Sequence, residues 1–356
     1  MTDDSRQHLQ QVVGQYVPDS MMTIRDLGAG NINATYLVTS DSRPFVLQRI
    51  NRQVFPDPIV VVENFSLVTR HLEERQGQGD TTCSFARLLP TLEGKLWFTD
   101  DAGEIWRAQS YLAGRPLQAI TRGTQAAEIG LALGRFHKLI GDLAVGLLQN
   151  PLPGFHILPG YLADFDRLAD GFRGSRGADL DHCFAIVEQY REMAPLLQEA
   201  CDRDLLQARI IHGDPKVDNF LFDPRGERVA GLIDLDTVGP GLLHYDLGDS
   251  LRSCCNRGGE GGDPQRVDFD MAACRAFLAA YSREMGDYLS RHDREYLYEA
   301  VLLISFELGL RFLSDHLRGD TYFKVRRQGE NLQRALVQFA LTQRIADREA
   351  EIRRLL

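Results

Sequence analysis

Between residues 125 and 140 the apolar positions Ile129, Ala132, Leu133, Phe136 and Ile140 recur at helical spacing, predicting one buried face of a helix. Residues 161–206 read as mostly helical, with a break at the glycines around 171–177. Two or three further helices are expected to the end of the chain, the clearest over 294–317. The first hundred residues have a shorter rhythm. Runs at 35–39 and 45–50 read as strands around a turn-like segment at 40–44. Residues 95–98 and 104–108 flank Asp101-Ala102-Gly103 as a hairpin, and one helix is expected over 60–74, after Pro58. Residues 109–117, with Gly114 and Pro116, form a connector. Loops are expected at 150–160 and, as a flexible insertion, at 258–263. A chain of 356 residues is long for one core. The expected division is an N-terminal β-rich lobe over 1–109, a hinge over 110–117 and a mainly helical lobe over 118–356.

Composition narrows the function classes. Hydrophobic content of 44% with 25% charged residues is ordinary for a globular chain. The net charge of −10 and the lack of a basic block give nucleic acid no electrostatic footing. The most apolar window, 300–306, is cut off by Glu307 and is far short of a membrane span. No secretory signal is read at the N-terminus, so a cytoplasmic protein without membrane or nucleic-acid partners is expected. The six cysteines include no CxxC pair and read as reduced, mostly buried thiols.

The chemistry is concentrated in His212-Gly213-Asp214-Pro215-Lys216-Val217-Asp218-Asn219 and Ile233-Asp234-Leu235-Asp236. An Asp, an Asn five residues later and a further acid on a following strand match the layout of phosphoryl transfer in kinase-like enzymes. Asp214 is the candidate base for a substrate hydroxyl. Asn219 and Asp234, with Asp236, supply the hard oxygen ligands that magnesium needs beside nucleotide phosphates. Alternation along 232–236 would place Leu232, Asp234 and Asp236 on one face of a strand. Lys216 could reach the transferring phosphoryl group, whereas His212 reads as a structural donor. Gly28 and Gly30, next to Asn31, would let backbone N–H groups approach an anion, without forming a Walker A loop. Glu307 and Arg311 stand one helical turn apart. They fit either a surface ion pair or a guanidinium aimed at a polar ligand. Tyr322-Phe323 fits either packing or a wall beside a ring-shaped substrate.

Together these residues resemble the aminoglycoside phosphotransferase/choline kinase superfamily. The HGDPKVDN loop, the IDLD segment and residues 239–246 match its C-terminal lobe, and Ser110 to Leu117 looks like its interlobe hinge. GNINATYLVT, VLQRINRQVFPD, IDLDTVGPG, YDLGDSLR and GLRFLSDHLRGDTYF are most similar to the N-acetylhexosamine 1-kinases. The resemblance implies an α+β, protein-kinase-like two-lobed fold and phosphorylation of a sugar's anomeric hydroxyl using ATP and magnesium. It implies Asp214 as base, Asn219 and Asp234 as metal ligands, and Asp246 as a brace for the loop. Gly28, Gly30, Gln48, Arg49, Ser110 and Tyr111 would lie at the nucleotide, and Asn31, Arg311 and Tyr322 near the acceptor. Two positions depart from the pattern. Gln48, with Arg49 beside it, stands where many kinase-like proteins carry a lysine, and Asn31 stands where some hexosamine kinases place a histidine. Rival readings are the same chemistry on choline, homoserine, an aminoglycoside or another sugar, and a nucleotide-binding pseudokinase.

Overall fold

The computed structural model describes residues 3–18, 22–27, 32–39, 43–77, 83–174 and 177–355. The N-terminal lobe comprises α1 (Asp3–Val13), β1 (Thr23–Asp26), β2 (Ala34–Thr39), β3 (Phe45–Arg49) and α2 (Pro58–Gln76). After β4 (Ser84–Phe85), which pairs in parallel with the later strand over residues 229–232, it continues through β5 (Leu88–Leu89), β6 (Phe98–Thr99) and β7 (Ile105–Ser110). An antiparallel sheet runs β1-β2-β3-β7-β5, with β6 also paired to β7. The expected strands and hairpin form, and Asp100 ties the hairpin turn by accepting from the backbone N–H groups of Ala102 and Glu104.

Period-two alternation gives this sheet two different faces. Phe45 and Leu47 of β3 point with Trp106 and Ala108 of β7 into an apolar cluster capped by Leu9, Val12 and Val13 of α1. One helix was expected in the first hundred residues, and there are two: the helical spacing of α1 is confined to Leu9, Val12 and Val13 at its C-terminal end, and the rest of its sequence is polar. The opposite face holds Gln48 directly across from Arg107. Beneath it lies α2, capped by the Asp57 side chain on the Ile59 N–H and opened by Pro58 at its first position. The helix is anchored to the rest of the chain by Asn64 Nδ2, which donates to the carbonyls of Gln149 (2.7 Å) and Val238 (2.9 Å).

The C-terminal lobe begins with β8 (Arg115–Pro116) and α3 (Gly123–Ile140), followed by α4 (Leu158–Gly171), α5 (Ala178–Tyr190) and α6 (Leu196–Asp202). Next come β9 (Arg209–Ile211), β10 (Phe220–Phe222), β11 (Val229–Leu232), β12 (Gly239–Gly241), α7 (Leu243–Cys255) and α8 (Met271–Met285). The chain closes with α9 (Arg291–Glu295), α10 (Leu297–Arg318), α11 (Glu330–Asp347) and α12 (Glu349–Arg353). The apolar face of α3 is buried as its spacing predicts. Gly130 lets α3 approach α8 so closely that a Cβ there would stand 2.4 Å from the Phe277 carbonyl. The helix expected over 294–317 is interrupted at its start: α9 ends at Glu295 and α10 restarts at Leu297, then runs almost wholly buried to Asp315. Residues 258–263 do not hang free, because Glu260 pairs with Arg334 and the Gly262 carbonyl accepts from Gln333. Among the described residues no helix is long and apolar enough to cross a membrane, and no two of the six cysteines form a disulfide.

Candidate active site

Two connections carry the chemistry. One links β9 to β10 and contains Asp214; the other links β11 to β12 and contains Asp234 and Asp236. Because β10 pairs antiparallel with β11, Asn219 lies opposite Ile233 and the two connections meet side by side.

A single buried carboxylate organises the first connection. Asp246 of α7 accepts from the backbone N–H groups of His212 (2.7 Å) and Gly213 (2.8 Å) and pairs with His137 Nε2 of α3 at 2.8 Å. Burial alone would raise its pKa, but His137 and these donors hold it below the usual carboxylate range. The bracing expected of Asp246 is thus a set of specific bonds. His212 is structural, as expected. It lies against the Ile233 carbonyl (2.9 Å) and the Asp214 N–H (3.2 Å), and burial lowers its pKa, favouring the neutral ring. Asp214 is left half-buried with its carboxylate toward the cleft. Lys216 Nζ donates to Asp214 Oδ2 at 2.7 Å, and Asn219 Nδ2 donates to the Asp214 carbonyl at 2.7 Å. Burial pushes the Asp214 pKa up, yet Lys216 outweighs it and the carboxylate stays ionised.

The strand expected over 232–236 stops at Leu232. Asp234 takes left-handed backbone angles, φ 65° and ψ 53°, and a 3₁₀ turn follows. A non-glycine residue there is strained, and such strain concentrates at functional positions. The turn separates the two acids. Asp236 is buried, with one oxygen taken by Arg107 and the other by Asn33. Asp234 faces open space and accepts no hydrogen bond among the described residues. Desolvation by the surrounding protein, followed by the like charge of Asp236, pushes its pKa up to about 7. Asn219 Oδ1 is likewise unused. Two unpartnered oxygen ligands beside the base fit a divalent cation of the magnesium type, which keeps waters and phosphates in its remaining positions.

Of the residues expected at the nucleotide, Gln48 lies on the face beneath which Asp236 sits. Arg49 does not: it is exposed on the opposite face, its guanidinium 5.9 Å from the Trp106 ring. Alternation along β3 forces this, since neighbouring residues cannot share a face. Ser110 and Tyr111 lie at the end of β7, where Ser110 Oγ accepts from the Arg87 N–H at 3.0 Å. Gly28, Gly30 and Asn31 lie outside the described residues.

On the acceptor side, Arg311 is surrounded by the rings of Phe155, Tyr161 and Phe323, at 5.0 to 5.6 Å from its Cζ. Its only ion pair among the described residues is a loose one, 3.9 Å to Glu307. Tyr322 is exposed beside it, its N–H held by Asp315 at 2.8 Å. Sequence reasoning missed His156, which lies 3.1 Å from Glu307 Oε1 and 3.0 Å from the Gly213 carbonyl. Both partners are acceptors, so both ring nitrogens donate and the ring is an imidazolium. Nothing in a Pro/Gly-rich loop marks one histidine as such a link; its left-handed φ of 61° is visible only in the fold.

Burial would strip the proton from His156, but Glu307 first and then the Gly213 carbonyl and Asp249 raise its pKa above the ordinary value of 6.5. The stabilisation this gives is therefore complete below about pH 6.5 and is lost as pH rises through the raised value. The Tm difference between the natural protein and His156→Gln should shrink as pH is raised from 6 to 9. A difference constant across that range would show that the ring is not charged.

Solved structures share this fold. A microcompartment-associated aminopropanol kinase shares the fold with a TM-score of 0.67, covering 99% of both chains at 17% identity. A spectinomycin phosphotransferase in complex with ADP and spectinomycin does so at 0.58, covering 95% of this chain and 98% of that one at 15% identity. The fold is that of the kinase-like phosphotransferases, β-rich in the N-terminal lobe and helical in the C-terminal lobe. The chain belongs to the phosphotransferase enzyme family (APH), whose model matches residues 23–292. A homoserine kinase from Pseudomonas aeruginosa is 27% identical over 289 residues, which span 78% of this chain and 77% of that protein.

Proposed function

We propose that the protein is an ATP- and magnesium-dependent kinase that phosphorylates the C1 hydroxyl of N-acetylglucosamine or N-acetylgalactosamine. Asp214 orients the acceptor hydroxyl and takes its proton, and Lys216 offers its ammonium to the transferring phosphoryl oxygens. Asn219 Oδ1 and Asp234 are the residues that would hold magnesium, which neutralises phosphate charge when bound. Asp236, with both oxygens occupied, is assigned to coupling the lobes rather than to the metal. The end of β7 at Ser110 and Tyr111 would receive the nucleotide base.

The observation that carries the acceptor is Arg311. Its guanidinium is caged by three rings, paired only loosely, and close enough to Asp214 to feel its charge. A cation with spare N–H donors beside the base repels choline-like and aminoglycoside acceptors and suits hydroxyl and carbonyl oxygens. The sugar-kinase likeness of GLRFLSDHLRGDTYF, which contains Arg311 and Tyr322, supplies the substrate class. A second reading is homoserine, favoured by the Pseudomonas relative and by the bidentate fit of a guanidinium to a carboxylate. Arg311→Ala should raise KM for the acceptor by about 10- to 100-fold while KM for ATP stays nearly level, since buried donors discriminate strongly. Steady-state kinetics over N-acetylhexosamines, hexoses, homoserine and choline separate the readings, and phosphorus NMR identifies the product. A sugar 6-phosphate, or turnover confined to homoserine, would remove the sugar 1-kinase assignment.

A further inference from the structure

We propose that Arg107 is the fixed cation of the nucleotide site, supplying from β7 the positive charge that a lysine at position 48 supplies in kinase-like enzymes. The inference rests on the phosphotransferase reading above and adds a phosphate-binding residue to it.

Glutamine at 48 removes the charge from β3 but not from the sheet face. Register places Arg107 directly across from Gln48, with both side chains on one face. Gln48 Oε1 accepts from Arg107 Nε at 3.2 Å and Nη2 at 2.8 Å, and from Gln109 Nε2 at 3.0 Å. The glutamine carbonyl therefore aims the guanidinium, and Gln48 Nε2 is itself fixed on Thr35 Oγ1 at 3.2 Å. Arg107 Nη2 also pairs with Asp236, two residues from the unpartnered Asp234. The Phe65 ring of α2 lies 4.7 Å from Cζ and closes one side.

One nitrogen is left over. Arg107 is 1% exposed, yet Nη1 has no hydrogen-bond partner among the described residues. A buried, unpaired guanidinium N–H group is costly, and the cost is recovered when a ligand oxygen accepts from it. The neighbourhood specifies what ligand that would be. Because Arg107 Nη2 is held by Asp236, two residues from Asp234, an oxygen reaching Nη1 lies at the same end of the cleft as these acids. A planar donor fork suits a phosphate better than a neutral ligand. The rival account is that Arg107 only ties the lobes through Asp236; it would then affect all ligands alike.

Calorimetry with ADP and with adenosine on the full chain separates these accounts. Arg107→Met should weaken ADP by about 10- to 100-fold, the weight of a charge-assisted hydrogen bond or two, while adenosine affinity holds. Adding Gln48→Lys to that variant should restore most of the preference for ADP over adenosine, and this second variant decides the matter if the first fails to melt cooperatively. ADP and adenosine weakening together, neither weakening, or a double variant without ADP preference would overturn the assignment. A natural protein that binds neither ADP nor ATP would instead remove the kinase reading itself, before any variant is made.

Discussion

Asp214→Asn should lower kcat by about two to four decades while ADP still binds, the weight of a general base and its positioning. The geometry makes this a clean experiment. Asp214 Oδ2 accepts from Lys216 and, at 3.3 Å, from Asn219 Nδ2, while its backbone is fixed by His212 at the N–H and by Asn219 at the carbonyl. Asparagine keeps the shape and one acceptor oxygen but loses the capacity to take a proton. The loop should therefore stay in place, held through Asp246. Turnover is measured at saturating ATP and acceptor. Near-normal kcat would take Asp214 out of the mechanism.

The two acids of the second connection should respond to substitution in opposite ways. Asp234→Asn retains a residue type that tolerates left-handed backbone, so its effect reports the lost charge rather than added strain. Magnesium-dependent ATP affinity should fall by about two decades, the upper range for disturbing a metal site through one residue. Asp236→Ala leaves Arg107 and Asn33 without their shared acceptor, and breaking a buried pair costs about 3–5 kcal/mol. Its signature is a lower Tm with a smaller change in magnesium dependence. Calorimetry at varied magnesium, set beside thermal melts, reads both. A larger magnesium effect at Asp236 than at Asp234 would reverse their roles.

How much of this was legible in the chain depended on distance along it. Elements with strong local periodicity, such as α3, and the loop carrying Asp214, Lys216 and Asn219 within six residues, could be read directly because spacing alone defines them. The strand assigned to 232–236 failed because alternation says nothing about one residue entering the left-handed region, and that residue decides which acid faces the cleft. Arg49 was placed by proximity to Gln48, although adjacent strand residues face opposite ways. Arg107, Asn33 and His156 were missed for a common reason. Their partners lie 129, 203 and 151 residues away, and only the register of β3 with β7 or the path of a loop brings them together. Glu307 and Arg311 were visible as a pair, but the three rings around the guanidinium come from separate parts of the chain.

The carboxylate of Asp246 joins α3, α7 and the Asp214 loop with no help from the elements that carry Arg311 and Tyr322. This gives the protein a division of labour that selection can exploit. On the proposed reading, substitutions at Arg311 and in the turn after α10 would alter which alcohol is recruited while leaving the Asp246 bonds intact, provided Glu307 is kept, because its bond to His156 also reaches the Gly213 carbonyl of the Asp214 loop. A lineage could in this way acquire new acceptors through a handful of changes while its phosphoryl-transfer chemistry stays constant, and laboratory evolution of acceptor choice would best begin with libraries at Phe155, Tyr161, Arg311, Tyr322 and Phe323.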